Sequence, residues 1–208
     1  MTTREGLGPR LLFALALLSA TAPIATDLYL PSFLEVKDAL HTDATQVQLT
    51  LTAFLVGVAV GQVVWGPVSD RFGRRSPLLV GSVAAVLAGI VVVAAPTIEV
   101  LIAARFVQAF AAAAGMVIAR AIIADLLRGF AGARSMTLMM TIQSLAPVIA
   151  PIIGGVLAGH VSWRGVLGVI LGATVLQLVF AVTSVPDTLP VERRTRRVGF
   201  GDLLGRFG

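Results

Sequence analysis

Gly66-Pro67-Val68-Ser69-Asp70-Arg71-Phe72-Gly73-Arg74-Arg75 separates two long apolar runs, and its reading decides the fold. A short connection between antiparallel helices needs glycine where the backbone reverses, which assigns Gly66 and Gly73 to a tight turn. Asp70 is placed to pair with a neighbouring arginine or with the positive end of a nearby helix. Arg71, Arg74 and Arg75 suit a loop held at lipid headgroups. An arbitrary R-x-x-R-R would mean no more than a charged anchor. The full G-x-x-S-D-R-x-G-R-R spacing is far more specific.

The runs on either side set the class. Of 208 residues, 57% are hydrophobic and 13% charged, about half the charged fraction of a soluble domain. A bilayer-spanning helix needs about 20 mostly apolar residues. Six stretches qualify, roughly 11–33, 45–66, 76–96, 99–122, 135–158 and 164–185. The predicted fold is an all-α membrane protein, with residues 1–185 as a six-helix bundle and 186–208 as a polar connection. Pro31, Pro96 and Pro186 fall at or near span boundaries, where a missing amide hydrogen costs little. The net charge of +5 does not point to nucleic acid, because the arginines cluster between apolar runs instead of lining one solvated face. Cysteine is absent, which excludes disulfides and thiolate metal sites.

Loop charges predict the orientation. With the N-terminus inside, the inner segments carry Arg4, Arg10, Arg71, Arg74, Arg75, Arg128, Arg134, Arg193, Arg194, Arg196, Arg197 and Arg206, and the outer loops only Lys37 and Arg164. That asymmetry places both termini in the cytoplasm. Arg4, Arg10 and the apolar run ending in Ala20-Thr21-Ala22 imitate a secretory signal. Pro23 directly after the cut disfavours processing, and cleavage would leave an odd number of spans, so the segment is read as span 1.

Two charges lie inside spans. Arg105 is about six residues, ~9 Å, from the outer boundary at Glu99. A buried guanidinium usually marks an ion or substrate pathway, the alternative being an arginine that snorkels to the interface. Asp27 lies about four residues, ~6 Å, below Pro31. Opposite chain directions put Asp27 and Arg105 at similar depth, so the two are expected to pair. An apolar setting raises a carboxyl pKa and a nearby arginine lowers it, a balance that suits proton loading. A static pair, or an Asp27 already among headgroups, is the other reading. Gln108 follows Arg105 by one turn.

Span 5 contains Pro147, Pro151, Gly154 and Gly155, a pattern for a helix that bends and admits a close neighbour. Gly57 and Gly61 form a G-x-x-x-G pair suited to close packing in span 2. Arg120 and Asp125, at the inner end of span 4, are placed to join Asp70 and its arginines in an inner gate, or to anchor at the interface. Trp163-Arg164 opens span 6 as an interfacial anchor.

Together these strings resemble the major facilitator superfamily. The 66–75 stretch is similar to its helix 2–3 signature, and Leu101-x3-Arg105-x2-Gln108-Ala109 to its helix 4 signature, with alanine at 109 in place of glycine. Ala146-Pro147-Val148-Ile149-Ala150-Pro151-Ile152-Ile153-Gly154-Gly155 resembles the helix 5 antiporter signature, with alanines at 146 and 150. Asp27-Leu28-Tyr29-Leu30-Pro31 looks like the corresponding string of Bcr/CflA-type drug:proton antiporters. The resemblance implies one six-helix half of that fold, a 3+3 inverted repeat. It implies proton-coupled efflux of drug-like molecules such as bicyclomycin, chloramphenicol or sulfonamides across the bacterial inner membrane. Asp27, Arg105 and Gln108 would couple proton and substrate, and Gly66, Asp70, Arg71, Gly73, Arg74, Arg75, Arg120 and Asp125 would form the cytoplasmic gate. Pro147, Pro151, Gly154 and Gly155 would act as a hinge or seal, and no cofactor beyond the proton gradient is expected.

Other classes fare worse. His41 and His160 fall in outer loops, no H-E-x-x-H or G-x-S-x-G occurs, and a second embedded acid is missing, so neither an intramembrane protease nor a metal site is expected. Uptake symport is the nearest rival. The expected partners are the bilayer, protons, a small-molecule substrate, and either a C-terminal half or a second copy, because six spans supply half of the enclosed cavity. A piece of a longer transporter is favoured over a working homodimer, and a lone half is expected to be inactive. Phe200–Phe207 is read as an amphipathic segment on the inner membrane surface.

Overall fold

The computed structural model describes residues 7–127 and 129–188. These form helices α1 (Pro9–Asp27), α2 (Phe33–Ala39), α3 (Ala44–Phe72), α4 (Arg75–Ala94), α5 (Ile98–Leu126), α6 (Gly129–Ala158) and α7 (Trp163–Ser184), and no strand occurs among the described residues. Six stretches are long and apolar enough to cross a membrane, the first being the composite Arg10–Ala39. The segment 189–208, with the expected amphipathic stretch, lies outside the described residues.

Local sequence explains the boundaries. Pro9 opens α1 at a position whose amide would be unpaired in any case. Asp43 caps α3 by accepting from the Gln46 amide at 2.8 Å, and Thr97 caps α5 by accepting from Val100 at 3.5 Å. Gly73 ends α3 with φ 89°, in the left-handed region that glycine enters without strain. Three expectations need correcting. Pro31 does not end the first span: it lies in a short 3-10 turn, Leu30–Ser32, that hands the chain on to α2. Gly66 is not in the turn either, because α3 continues to Phe72 and leaves only Gly73 and Arg74 as the connection. Likewise α6 starts at Gly129, before the expected 135. Apolar runs mark hydrocarbon thickness, and helices continue past it into the polar interface.

α5 and α1 are central. α3 packs on α5 as α6 packs on α1; α4 packs on α5 as α7 packs on α1; α1 meets α5, and α4 meets α7. Exchanging α1, α3 and α4 for α5, α6 and α7 leaves this contact scheme unchanged. Three spans reverse the chain direction, so the second triplet runs opposite to the first. This is the 3+3 inverted repeat.

Small residues make the close approaches possible. A Cβ on Gly61 would lie 2.6 Å from the Phe110 carbonyl and 2.7 Å from Ala113 Cβ, and Gly57 meets the Phe106 carbonyl in the same way. Gly154 on α6 plays the matching part against the Leu28 carbonyl, on a stripe with the buried Ala146 and Ala150. The Trp65 indole clamps α3 to α5 by donating to the Phe110 carbonyl at 2.8 Å. Two-thirds of the apolar window of α5 (67%) is buried, against 17% for α6. Outward-facing side chains such as Val63, Val80, Leu87 and Ile152 are exposed, as lipid-facing surfaces require. The chain is a multi-pass membrane protein.

Candidate functional site

Chemistry concentrates in two places. The first is the arginine-rich end, where Arg74 is the hub. Its Nη1 donates to Asp70 Oδ1 and, at 2.8 Å, to Ser69 Oγ; its Nε donates to Asp125 Oδ2 at 2.8 Å. Its backbone amide donates to Asp187 Oδ1 at 3.0 Å, and Thr188 Oγ1 donates to Asp125 Oδ2 at 3.3 Å. Helix α3, the start of α4, the last turn of α5 and the segment after α7 are thus tied around one residue, Arg74. Burial alone would lower the Arg74 pKa, but hydrogen bonds with Asp125 and Asp70 and their charges more than offset it. The pKa ends above the ordinary arginine value, so Arg74 stays charged throughout the physiological range.

Of the expected gate residues, Asp70, Arg74 and Asp125 meet directly. Gly73 supplies the turn. Arg71 is exposed and rests on Phe72, with 5.1 Å from Cζ to the ring centroid. Arg75 donates to the Val182 carbonyl at 3.2 Å. Arg120 does not join: its Nε donates to the Met116 carbonyl, one turn back on its own helix, at 3.2 Å. Sequence reasoning missed Ser69, Asp187 and Thr188. Pro186-Asp187 directly after span 6 was the available signal, an acid at the same end as three arginines.

The second place is the buried half of α5. Arg105 is fully buried. Nη1 donates to Gln108 Oε1 at 3.2 Å and Nη2 to the Ala25 carbonyl at 3.3 Å, while Nε has no hydrogen-bond partner among the described residues. The guanidinium carbon lies 4.2 Å from the Phe54 ring centroid and 4.9 Å from that of Tyr29. Two aromatic faces at such distances contribute about 0.5–2 kcal/mol each. Tyr29 is held in turn by Thr50, whose hydroxyl donates to the phenol oxygen at 3.3 Å. The aromatic cage has no linear sequence signal, because it requires the register of α1 against α3 and α5.

The expected Asp27–Arg105 pair is absent. Among the described residues the ion pairs all belong to Arg74. Two residues turn an α-helix through about 200°, so Asp27 lies across α1 from the buried Ala25 that accepts from Arg105. Topology sets the depth of a residue along its helix, but its facing direction depends on helix rotation. Asp27 is partly exposed instead. It is also the one charged residue between Leu11 and Leu34. Beside it, Ile24, Leu28, Ile142, Leu145 and Ile149 line an apolar groove of about 210 Å³ between α1 and α6. Helix α6 runs unbroken through Pro147 and Pro151. Of its two terminal motif glycines, Gly154 is wedged against α1 and Gly155 faces open space.

Residues 15–204 match the family described as Major Facilitator Superfamily. The chain belongs to the major facilitator superfamily. It is 37% identical over 185 residues to the bicyclomycin resistance protein homolog of Haemophilus influenzae, covering 88% of this chain and 46% of that protein. It is 32% identical over 200 residues to multidrug resistance protein D of Escherichia coli, covering 95% and 51%. Its fold superposes on the human organic anion transporter MFSD10 with a TM-score of 0.74 at 20% identity, covering 97% of this chain and 53% of that one. The chain therefore spans about half the length of the relatives it matches, and corresponds to the N-terminal half of a superfamily transporter.

Proposed function

We propose that this chain is the N-terminal wall of a proton-coupled exporter of drug-like small molecules in the bacterial inner membrane, with Asp27 as the proton-loading carboxyl. The observation that carries this reading is Asp27 itself, partly exposed next to Leu28 of the apolar groove and without an ion pair among the described residues, within a span that is otherwise uncharged from Leu11 to Leu34. A carboxylate there needs water, whereas a carboxylic acid can be enclosed against an opposing apolar surface. Proton loading would thus favour closing the Asp27 end, and proton release would favour reopening it. The charge change acts through hydration, with no Arg105 pair to break. Arg105 and Gln108 position α1 against α5 from behind. The apolar groove suits the hydrophobic part of an amphiphile.

Arg74 and its carboxylates would hold the opposite, cytoplasmic end shut in one conformation and part in the other. The names of the two bacterial relatives, a bicyclomycin resistance protein homolog and a multidrug resistance protein, support drug resistance as the output. In an efflux-deficient bacterium, the complete twelve-span transporter containing this half should confer resistance, and Asp27→Asn should return it to the empty-vector level with expression unchanged. Full resistance in the Asp27→Asn strain would overturn the proton assignment.

A further inference from the structure

At the arginine-rich end, two exposed guanidiniums outside the Arg74 hub reach the last turn of α7 from different helices. Arg10, in the first turn of α1, donates from Nε to Ser184 Oγ at 3.0 Å. Arg75, the first residue of α4, donates from Nη2 to the Val182 carbonyl. Each spends one donor on α7, so the remaining fork of each is open to an acceptor. Neither forms an ion pair among the described residues. Asp187, the acid that follows α7, accepts from the Arg74 amide. The Thr183 hydroxyl, between the two contacts on α7, is exposed.

One turn deeper the surface becomes apolar and open. Phe13 is 56% exposed and meets Phe180 edge-on at 5.3 Å between ring centroids, and Val179 and Val182 are exposed further round the outer face of α7. Capping the α7 carbonyls would account for one arginine. It does not account for two from separate helices, set at the polar end of an exposed apolar ledge. Guanidinium forks match phosphate oxygens, and an anionic headgroup complements the excess positive charge.

We propose that Arg10 and Arg75 form a headgroup site for an anionic phospholipid, its phosphate held between the two guanidiniums and an acyl chain lying on Phe13, Val179 and Val182. The test is native mass spectrometry and thermal unfolding of the purified 208-residue chain in neutral detergent, titrated with phosphatidylglycerol or phosphatidylcholine. Phosphatidylglycerol should be retained and should raise Tm, and high salt should release it. Arg10→Gln/Arg75→Gln should bind about thirtyfold more weakly, the loss of two interfacial charges. Arg134→Gln, which removes an exposed arginine at the same end from α6, should bind like wild type. Equal retention of phosphatidylcholine, or undiminished binding by the double variant, would overturn the site. So would inorganic phosphate reproducing the Tm rise, since the site would then be for a free anion. Should the double variant fail to fold, wild-type retention that is indifferent to salt would overturn it as well.

Discussion

Arg105 and Arg74 are both buried arginines, yet their surroundings ask for opposite experiments. Among the described residues Arg105 has no carboxylate partner; it meets aromatic faces, a carbonyl and an amide oxygen. Replacing an uncompensated buried charge by an apolar side chain of similar volume is often neutral or stabilising. Arg105→Met should therefore keep or raise Tm while abolishing transport in the complete protein. A fall of several degrees would mean that the cage contributes more than the buried charge costs. Arg74 sits between two acids, one of them, Asp70, half-exposed and so largely screened. Arg74→Ala should cost about 2 kcal/mol, because the Ser69 hydroxyl loses its donor and Asp125 keeps only the Thr188 hydroxyl among those described. Chemical denaturation or a thermal scan in detergent measures this, and a change below about 0.5 kcal/mol would remove Arg74 from its place as hub.

Among helices, the glycines separate by what they touch. A side chain at Gly61 would run into α5, and one at Gly154 into the backbone at Leu28. Gly61→Ala and Gly154→Ala should each lower stability by about 1–3 kcal/mol as the neighbours are pushed apart. Gly66 has nothing nearer than Val117 Cγ1 at 3.9 Å and Gly155 nothing within 4 Å. Alanine at either should be tolerated within about 0.5 kcal/mol, since helix propensity favours it. Comparing the four Tm values checks the packing directly, and it isolates any transport defect of Gly66→Ala from stability. Such a defect would assign Gly66 to a conformation in which another element comes closer. The same logic divides the antiporter-like string of α6 into a packing residue, Gly154, and an unpacked one, Gly155.

For the molecule as a whole, the testable quantity is orientation. The chain has no cysteine, so single cysteines report cleanly. His41→Cys, between α2 and α3, should react with a membrane-impermeant maleimide in intact spheroplasts. Arg134→Cys, at the start of α6, should react only after permeabilisation. The reverse pattern would place the arginine-rich end outside and remove the inner-gate reading. Alone in proteoliposomes the six-helix chain should show no proton-driven drug uptake, because one wall cannot alternate access. Transport by a sample shown to be monomeric would refute the half-transporter reading.

Membrane class and number of spans could be read from the chain, because they depend on totals and on linear spacing: apolar runs of bilayer length separated by polar connections. The Gly73 turn was legible for the same reason, as a glycine where a helix pair must reverse. Helix ends were less so, since hydropathy senses hydrocarbon thickness, and α3 and α6 run on beyond it. The partnering of charges was decided in three dimensions. Asp27 and Arg105 share a depth that topology could supply, but rotation of α1 turns Asp27 away, and Arg105 settles between Tyr29 and Phe54 instead. Arg120 stays with its own helix, while Asp187, read only as the start of a connection, folds back to hold the Arg74 amide. Depth follows from counting residues along one helix, whereas facing follows from how small residues such as Gly57, Gly61 and Gly154 let neighbouring helices seat, and only the packed bundle contains that information.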